Sequence, residues 1–315
     1  MSFAARMNSK AIEHTPRGAS GPDLEIATCP VCHSEGVALF TQRDLFCGLA
    51  GEFGQRYCAG CDGYFLSPRV TESQIGYYYP DVYQCYRRHS YPKLVGKVAS
   101  ALGLDTRRQR IVERFVQRGR ILDVGCGRGE FLESLAAGPW ERYAMDIKWH
   151  GQYGLPDGFH EGQFDHEPPP FTELDAITLW HVFEHLYHPQ KALDNAATLL
   201  RPGGFLFLAI PDAKCVERLL FRKYWHGWDP PRHIATYSAC SIEILLHRSG
   251  LRLVAVVPDA CTGLLLSLDL EQVLRSHGVK KDIHRSLLLR ALLSPFAFMS
   301  IRLGLAPAKV YVAQR

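Results

Sequence analysis

The chain has 315 residues, 47% of them hydrophobic and 22% charged, the make-up of a globular protein with room for one large domain and a small companion. Its 36 basic and 32 acidic side chains leave a formal charge of +4, too mild an excess to argue for nucleic acid by itself. No apolar run reaches the roughly 18 residues of a membrane-spanning helix, and ten cysteines without an export-type leader point to reduced thiols or metal ligands in the cytoplasm.

Residues 1–24 are small, polar and punctuated by Pro and Gly, which predicts a disordered tail. Residues 25–80 read as a small β-rich module. Within it, Cys29-Pro-Val-Cys32 and Cys58-Ala-Gly-Cys61 are two CxxC pairs separated by 25 residues. Each pair puts two thiolates on one tight turn, and two such turns complete a tetrahedral site, so a zinc-ribbon-like fold with a structural Zn2+ is predicted. Four thiolates leave no open position, so no catalysis is assigned there.

Residues 81–118 read as linker and helices. In "DTRRQRIVERFVQRG" (105–119), Ile111, Val112, Phe115 and Val116 stand at helical spacing. From 119 to 315 strands alternate with helices: "RILDV" and "EFLESLAA", then "RYAMDI", a Pro/Gly-rich passage over 151–170, and "DAITLW" before "PQKALDNAATLL". A "RPGG" turn, "FLFLAIP", "CSIEILLHRSG", "LRLVAVV" and a closing "AKVYVAQR" follow. This alternation predicts a Rossmann-like α/β domain, a mostly parallel sheet with helices on both faces. Residues 258–307 interrupt it with two apolar, helix-prone stretches.

The stretch "ILDVGCGRGEF" (121–131) runs a strand into a turn with glycines at 125, 127 and 129. A dinucleotide fingerprint needs its third glycine at relative position 6, where this chain has Glu130. A P-loop fails for lack of a following Gly-Lys-Ser/Thr. What remains is a turn that lets a nucleoside lie against the backbone, with Asp146 ending the next strand where a carboxylate can accept both ribose hydroxyls.

"ILDVGCGRGEF", "AMDI", "DAITLWHVFEHLYHP" and "LLRPGGFLFLAIPD" together resemble the successive motifs of class I S-adenosylmethionine-dependent methyltransferases, and "PPRHIATYS" (230–238) resembles a bacterial small-molecule subgroup. The resemblance covers about 105–260 and 308–315, and implies an antiparallel last strand. It implies that Gly125, Cys126, Gly127 and Gly129 form the cofactor loop, that Asp123 positions the loop or the methionyl amine, and that Asp146 with Ile147 holds the ribose. Gln163 and Phe164 fall where relatives contact adenine, and Trp180 closes the fourth strand beside the ligand. A four-cysteine ribbon ahead of such a domain also resembles deoxysugar C-methyltransferases and proteins of glycan or secondary-metabolite pathways.

Methyl transfer to a hydroxyl or acidic C–H needs alignment and a base, for which histidine is suited. His181 and His185 in "WHVFEHLYH" and His233 in "DPPRHIATYS" are the candidates; a helix starting at Trp180 would put His181 and His185 on one face. His185, beside Glu184, can equally serve to cap a turn. The expected activity is methylation of a small molecule, foremost at an oxygen of a sugar or glycan-pathway intermediate. The alternatives are a nucleic-acid methyltransferase gripping through the ribbon and a non-catalytic cofactor-binding scaffold. Nucleic acid is disfavoured, because residues 25–66 hold only Arg43 and Arg56 as basic residues against several acids. In the insertion, 286–305 is expected to pack as extra helices or to touch a membrane surface for a lipid-linked acceptor.

Overall fold

The computed structural model describes residues 22–80, 106–149, 156–259, 263–279 and 281–315. Residues 1–21 of the predicted tail (1–24) and most of the predicted linker lie outside the described residues, while Leu24, at the predicted end of the tail, already belongs to a strand. The first elements are β1 (Leu24–Glu25), β2 (Val37–Gln42), β3 (Phe53–Cys58), β4 (Gly63–Leu66) and β5 (Arg69–Val70). They are followed by α1 (Arg107–Glu113), β6 (Gly119–Val124), α2 (Glu130–Ser134), β7 (Trp140–Asp146), β8 (Gly158–Glu161), β9 (Leu174–Trp180), α3 (Pro189–Leu199) and β10 (Leu200–Pro211). The chain continues through α4 (Val216–Phe221), β11 (Ala235–Thr236), α5 (Ala239–Arg248), β12 (Arg252–Pro258), α6 (Leu264–Ser276), α7 (Leu287–Arg302) and β13 (Ala308–Gln314).

Seven strands form the main sheet in the order β12-β13-β10-β9-β6-β7-β8. Strands β6 to β10 run parallel, and β13 runs antiparallel to both neighbours. This is the Rossmann-like sheet with a reversed last strand that the motifs imply. Alternation along β6 and its neighbours explains the layering, since successive side chains leave opposite faces. Leu122, Val124, Ile177 and Leu179 pack with Leu193 and Ala196 of α3 and with Ile242 and Leu245 of α5. Ile121, Ala144, Ala176 and Phe207 pack on the other face with Ile111 and Val112 of α1 and Phe131 of α2. Each of these large side chains contributes about 1.5–3 kcal/mol by leaving water.

Three details depart from the sequence pattern. Strand β8 lies inside the Pro/Gly-rich passage; its four residues, "GFHE", are half-buried to exposed at the sheet edge and carry no apolar run to betray it. The helix predicted over 105–119 is confined to α1. The "RPGG" turn falls within the span of β10, where the register shifts between Leu200 and Phe205 and Gly203 takes a φ of +82°.

The cysteine-bearing segment builds a second sheet in the order β11-β4-β3-β2. Its edge strand comes from far along the chain, with Ala235 opposite Phe65 and Thr236 opposite Tyr64. Cys29, Cys58, Cys61 and Phe65 belong to the same buried cluster as Leu122 and Leu245. Ser238 and Ser241 form a capping box that starts α5, and the Ser241 hydroxyl also donates to the Cys61 carbonyl at 2.9 Å. One cap thereby secures a helix of the large sheet to a metal-type turn of the small one.

In the insertion, α6 and α7 pack on each other. The backbone N–H of His226 donates to Asp269 of α6 at 2.6 Å. Leu288, Leu292 and Phe298 of α7 are 72%, 69% and 58% exposed. Among the described residues, no helix is long and apolar enough to cross a membrane.

Candidate functional site

The glycine turn leaves β6 at the carboxyl edge of the sheet, the edge on which open α/β folds bind ligands. Its backbone is fixed from β7: the N–H groups of Gly125 and Cys126 reach the Met145 carbonyl at 2.8 and 3.3 Å. Asp146, at the end of β7, accepts the Gly127 N–H at 2.8 Å through one oxygen and the Ile147 N–H at 2.8 Å through the other. All three loop glycines have positive φ, +67°, +53° and +82°, a region L side chains avoid. They differ in surroundings. A Cβ on Gly125 would overlap the Val182 side chain, whereas one on Gly127 would meet nothing within 4 Å. Gly127 therefore faces open space beside a carboxylate already oriented, as a cradle for a hydroxylated ligand requires.

Asp123 is fully buried beneath this loop and accepts the Thr178 hydroxyl at 2.6 Å. Burial pushes its carboxyl up to about 7, against the Thr178 bond and the Arg108 charge. The Trp180 indole N–H is buried at the end of β9 and has no partner among the described residues; its ring lies 5.3 Å from Phe131 and under Arg108 at 5.0 Å. Gln163 is exposed just past β8, one residue after Gly162, whose N–H donates to the Asp146 carbonyl at 3.0 Å. Two candidates point elsewhere. Phe164 and Cys126 are buried in the packing clusters on opposite faces of the sheet, so their side chains fill core while only their backbones can face a ligand. Ile147 is 53% exposed.

The histidines assemble differently from the helical expectation. Trp180 ends β9, and only Phe183–His185 form a single 3-10 turn, so His181 and His185 do not share a helix face. His181 instead turns the chain in the left-handed region at φ +58°. Its ring stands between two carboxylates, Nδ1 at 3.4 Å from Glu184 and Nε2 at 3.4 Å from Asp259. Burial works to lower its pKa, but the Asp259 and Glu184 contacts prevail and hold it at about 9. At neutral pH this ring already carries the proton that a base would have to take up, which corrects the simplest reading of it.

His185 is held the other way. Burial and the neighbouring His233 bring it down to about 4, so it is neutral. Its Nδ1 lies 3.0 Å from the Arg232 carbonyl and 2.9 Å from the Tyr79 hydroxyl. The turn-capping role thus has a concrete partner. The His233 Nδ1 lies 2.8 Å from the Gly227 carbonyl, and the two rings are 4.7 Å apart. The loop bearing His233 is fixed by Arg232, whose guanidinium is fully buried and has all five N–H donors bonded. Asp44 of the cysteine-bearing segment takes two at 2.7 and 3.1 Å, Asp229 two at 2.6 and 2.9 Å, and the Tyr78 carbonyl one at 3.1 Å. Sequence reasoning missed Asp44, Glu184, Asp229, Arg232 and Asp259 as site-builders. Glu184 was read only as the neighbour of a turn-capping His185, and nothing in the sequence links Asp44 to a residue 188 positions away.

The four cysteines converge as expected. Cys29 and Cys61 sulfurs lie 3.4 Å apart, Cys32 and Cys58 sulfurs 3.2 Å apart, and all four fall within 4.8 Å of one another. The Cys61 thiol, bonded to Cys29, holds Cys29 down at about 5, while that same bond raises Cys61. Four sulfurs so close, competing for protons, fit a thiophilic divalent ion of tetrahedral preference.

A methyltransferase-domain family profile matches residues 97–256. Over 126 residues the chain is 35% identical to the ubiquinone biosynthesis O-methyltransferase of Xylella fastidiosa (strain M23), covering 32% of this chain and 50% of that protein. The enzyme of the same name from Bordetella bronchiseptica is 28% identical over 158 residues, covering 42% of this chain and 64% of the relative. The chain therefore spans about half the length of the first curated relatives it matches. A solved S-adenosylmethionine-dependent methyltransferase from Archaeoglobus fulgidus superposes with a TM-score of 0.45 at 17% identity, covering 67% of this chain and 93% of that one.

Proposed function

The chain belongs to the methyltransferase-domain family and is an S-adenosylmethionine-dependent methyltransferase, and on that premise we propose that it methylates an oxygen of a small molecule, a sugar or another glycan- or secondary-metabolite intermediate. The cofactor, when bound, would supply a methyl group activated by its sulfonium for transfer to an acceptor oxygen, with the acceptor proton released to solvent. The observation that carries the reading is the open cradle at Gly127 with Asp146 bonded across it, above the buried Asp123.

The chain's own residues divide the work. Asp146, its oxygens aimed by two backbone N–H groups, takes the ribose hydroxyls. Asp123, weakly acidic in its dry setting, gains a counterion when the methionyl ammonium arrives. Gln163 offers an amide to adenine, and the Trp180 N–H, without a partner among the described residues, is a spare donor at the end of β9. His181, clamped by two carboxylates, orients the turn between cofactor and acceptor, while His185 and His233 line the acceptor side. Fixing two reactants in line supplies most of what such a displacement needs.

The oxygen acceptor is supported by the similarity to the ubiquinone biosynthesis O-methyltransferases of Xylella and Bordetella. The ribbon disfavours nucleic acid: Arg43 is paired with Glu52 at 2.7 Å, and Arg56 is bonded to the carbonyls of Glu35 and Gly36. Arg56 is thereby engaged, and Arg43, with its side chain 74% exposed, is balanced by Glu52, so the ribbon presents no row of cations to track phosphates. The four thiols hold a structural Zn2+, which keeps the ribbon folded against the acceptor loop. The exposed Leu288, Leu292 and Phe298 of α7 suit an apolar or lipid-linked portion of the acceptor.

Calorimetric titration of the zinc-replete protein with S-adenosylhomocysteine, with NAD as control, tests the cofactor half. The homocysteine nucleoside alone should bind, and Asp146→Ala should weaken it about tenfold or more, the worth of hydrogen bonds to a charged group. Binding of neither, or equal binding of both, would remove the reading. A screen of nucleotide sugars with labelled cofactor then tests the acceptor half.

A further inference from the structure

Glu184, His185 and His233 bring a carboxylate oxygen and one ring nitrogen each to within 4.8 Å of one another. Glu184 is 0% exposed, and neither of its carboxylate oxygens has a hydrogen bond from a described residue. Its nearest cationic atom is the His181 Nδ1 at 3.4 Å, which engages one oxygen. His181 meets the charge at one oxygen, Oε1, and leaves Oε2 buried without a partner among the described residues, a state that favours a second cation beside it. The two rings are also pre-set. The His233 Nδ1 faces the Gly227 carbonyl at 2.8 Å, and the His185 Nδ1 faces both the Arg232 carbonyl at 3.0 Å and the Tyr79 hydroxyl at 2.9 Å, an oxygen that can accept from the same N–H. A carbonyl only accepts, so each Nδ1 carries the hydrogen and each Nε2 keeps its lone pair. Imidazoles fixed in one tautomer by backbone carbonyls, next to a carboxylate, are built as metal ligands are built.

The other clusters of this kind lack these features. Glu271, Asp282 and His284 are already neutralised by one another and by Arg275, which contacts Glu271 at 2.7 Å and Asp282 at 3.1 Å. In the Glu72, His166 and His188 cluster both histidines are exposed. We propose that Glu184, His185 and His233 form a second metal site, for a divalent first-row transition ion, on the acceptor side of the glycine turn. Two nitrogens and one carboxylate suit such an ion over Mg2+ or Ca2+, which prefer oxygen throughout. Three protein ligands leave positions open, and Val182, two residues before Glu184, packs against Gly125 of the glycine turn. A ligand with one or two hydroxyl oxygens fits the open positions. An oxygen held there loses its proton to solvent more readily, which names the acceptor as an alcohol or vicinal diol. Only this last step rests on the methyl-transfer reading; the metal site stands on the three side chains.

The experiment uses zinc-replete protein, dialysed free of excess metal and titrated with Co2+, followed by visible absorption and by metal analysis. Wild type should take up one equivalent beyond the ribbon zinc without a thiolate-to-cobalt charge-transfer band. Glu184→Gln and His233→Ala should each weaken that uptake by roughly a hundredfold, the upper range for damage to a metal site, while still binding S-adenosylhomocysteine and melting cooperatively. His185→Ala is the second route should either variant misfold. No uptake, equal uptake by the variants, or a charge-transfer band reporting exchange into the cysteines would overturn the site. Co2+ uptake without S-adenosylhomocysteine binding would keep the metal site and overturn the methyl-transfer reading.

Discussion

The two sides of the candidate site are put together in different ways. On the cofactor side, Asp123, the three glycines and Asp146 lie within 24 consecutive residues, and one parallel strand pair places them all. On the acceptor side, Asp44, Tyr79, Glu184, His185, Asp229, Arg232 and Asp259 come from five separate stretches of chain, and buried charge holds them rather than strand register. A site built from one supersecondary unit can be read as a motif. A site built from long-range ion pairs depends on the whole fold being finished.

Breaking the acceptor side should have the largest effect. Arg232→Ala leaves Asp44 and Asp229 buried without their guanidinium, a loss of about 3–5 kcal/mol, read as a lower urea midpoint. Arg232→Lys should rescue little of it, since an ammonium offers three donors where five are used. If Arg232→Ala melts like wild type, the acceptor side is not held by charge and the contrast fails. Next in size is the pair Gly125→Ala and Gly127→Ala. Both adopt a backbone that L residues resist, for about 1–2 kcal/mol. Only the first also collides with Val182, so it should lose roughly 1–3 kcal/mol more by overpacking. Gly127→Ala should fold better yet bind S-adenosylhomocysteine as poorly; equal melting temperatures would refute the assignment of open space at Gly127.

A further effect is a slope with pH. Asp123 sits at about 7 when folded and at 3.8 as an ordinary carboxyl, so between those values the folded chain keeps a proton that the unfolded chain has released. Stability should therefore fall as pH rises through that window, by at most about 1.4 kcal/mol per unit, and level off above it. Asp123→Asn should flatten the slope, and so should saturating S-adenosylhomocysteine, whose ammonium favours the ionised form. A slope unchanged in Asp123→Asn would assign the proton elsewhere.

The same contrast explains what the sequence made legible. The glycine turn, Asp146 and the cysteine pairs announce themselves because their chemistry depends on short spacings, and the sheet because buried parallel strands are continuous apolar runs such as "DAITLW". Strand β8 hid because an edge strand needs no apolar run. His181 was legible as a residue of interest but not as a charged one, because its two carboxylates arrive three residues and 78 residues away. Arg232 looked like the prelude to His233; its importance comes from Asp44, on a segment that pattern reading assigns to a separate module.

The pairing of Ala235 and Thr236 with β4 sets an order of events as the chain is made. The small sheet lacks its last strand until about 170 residues after β4 have been synthesised and the large sheet has turned them back. Until then β4 is an open edge, the kind of surface on which nascent chains pair wrongly. Four sulfurs that can seize an ion early would hold that unfinished sheet in shape until its partner strand arrives, so a ribbon excised from the chain would be left permanently at that intermediate stage.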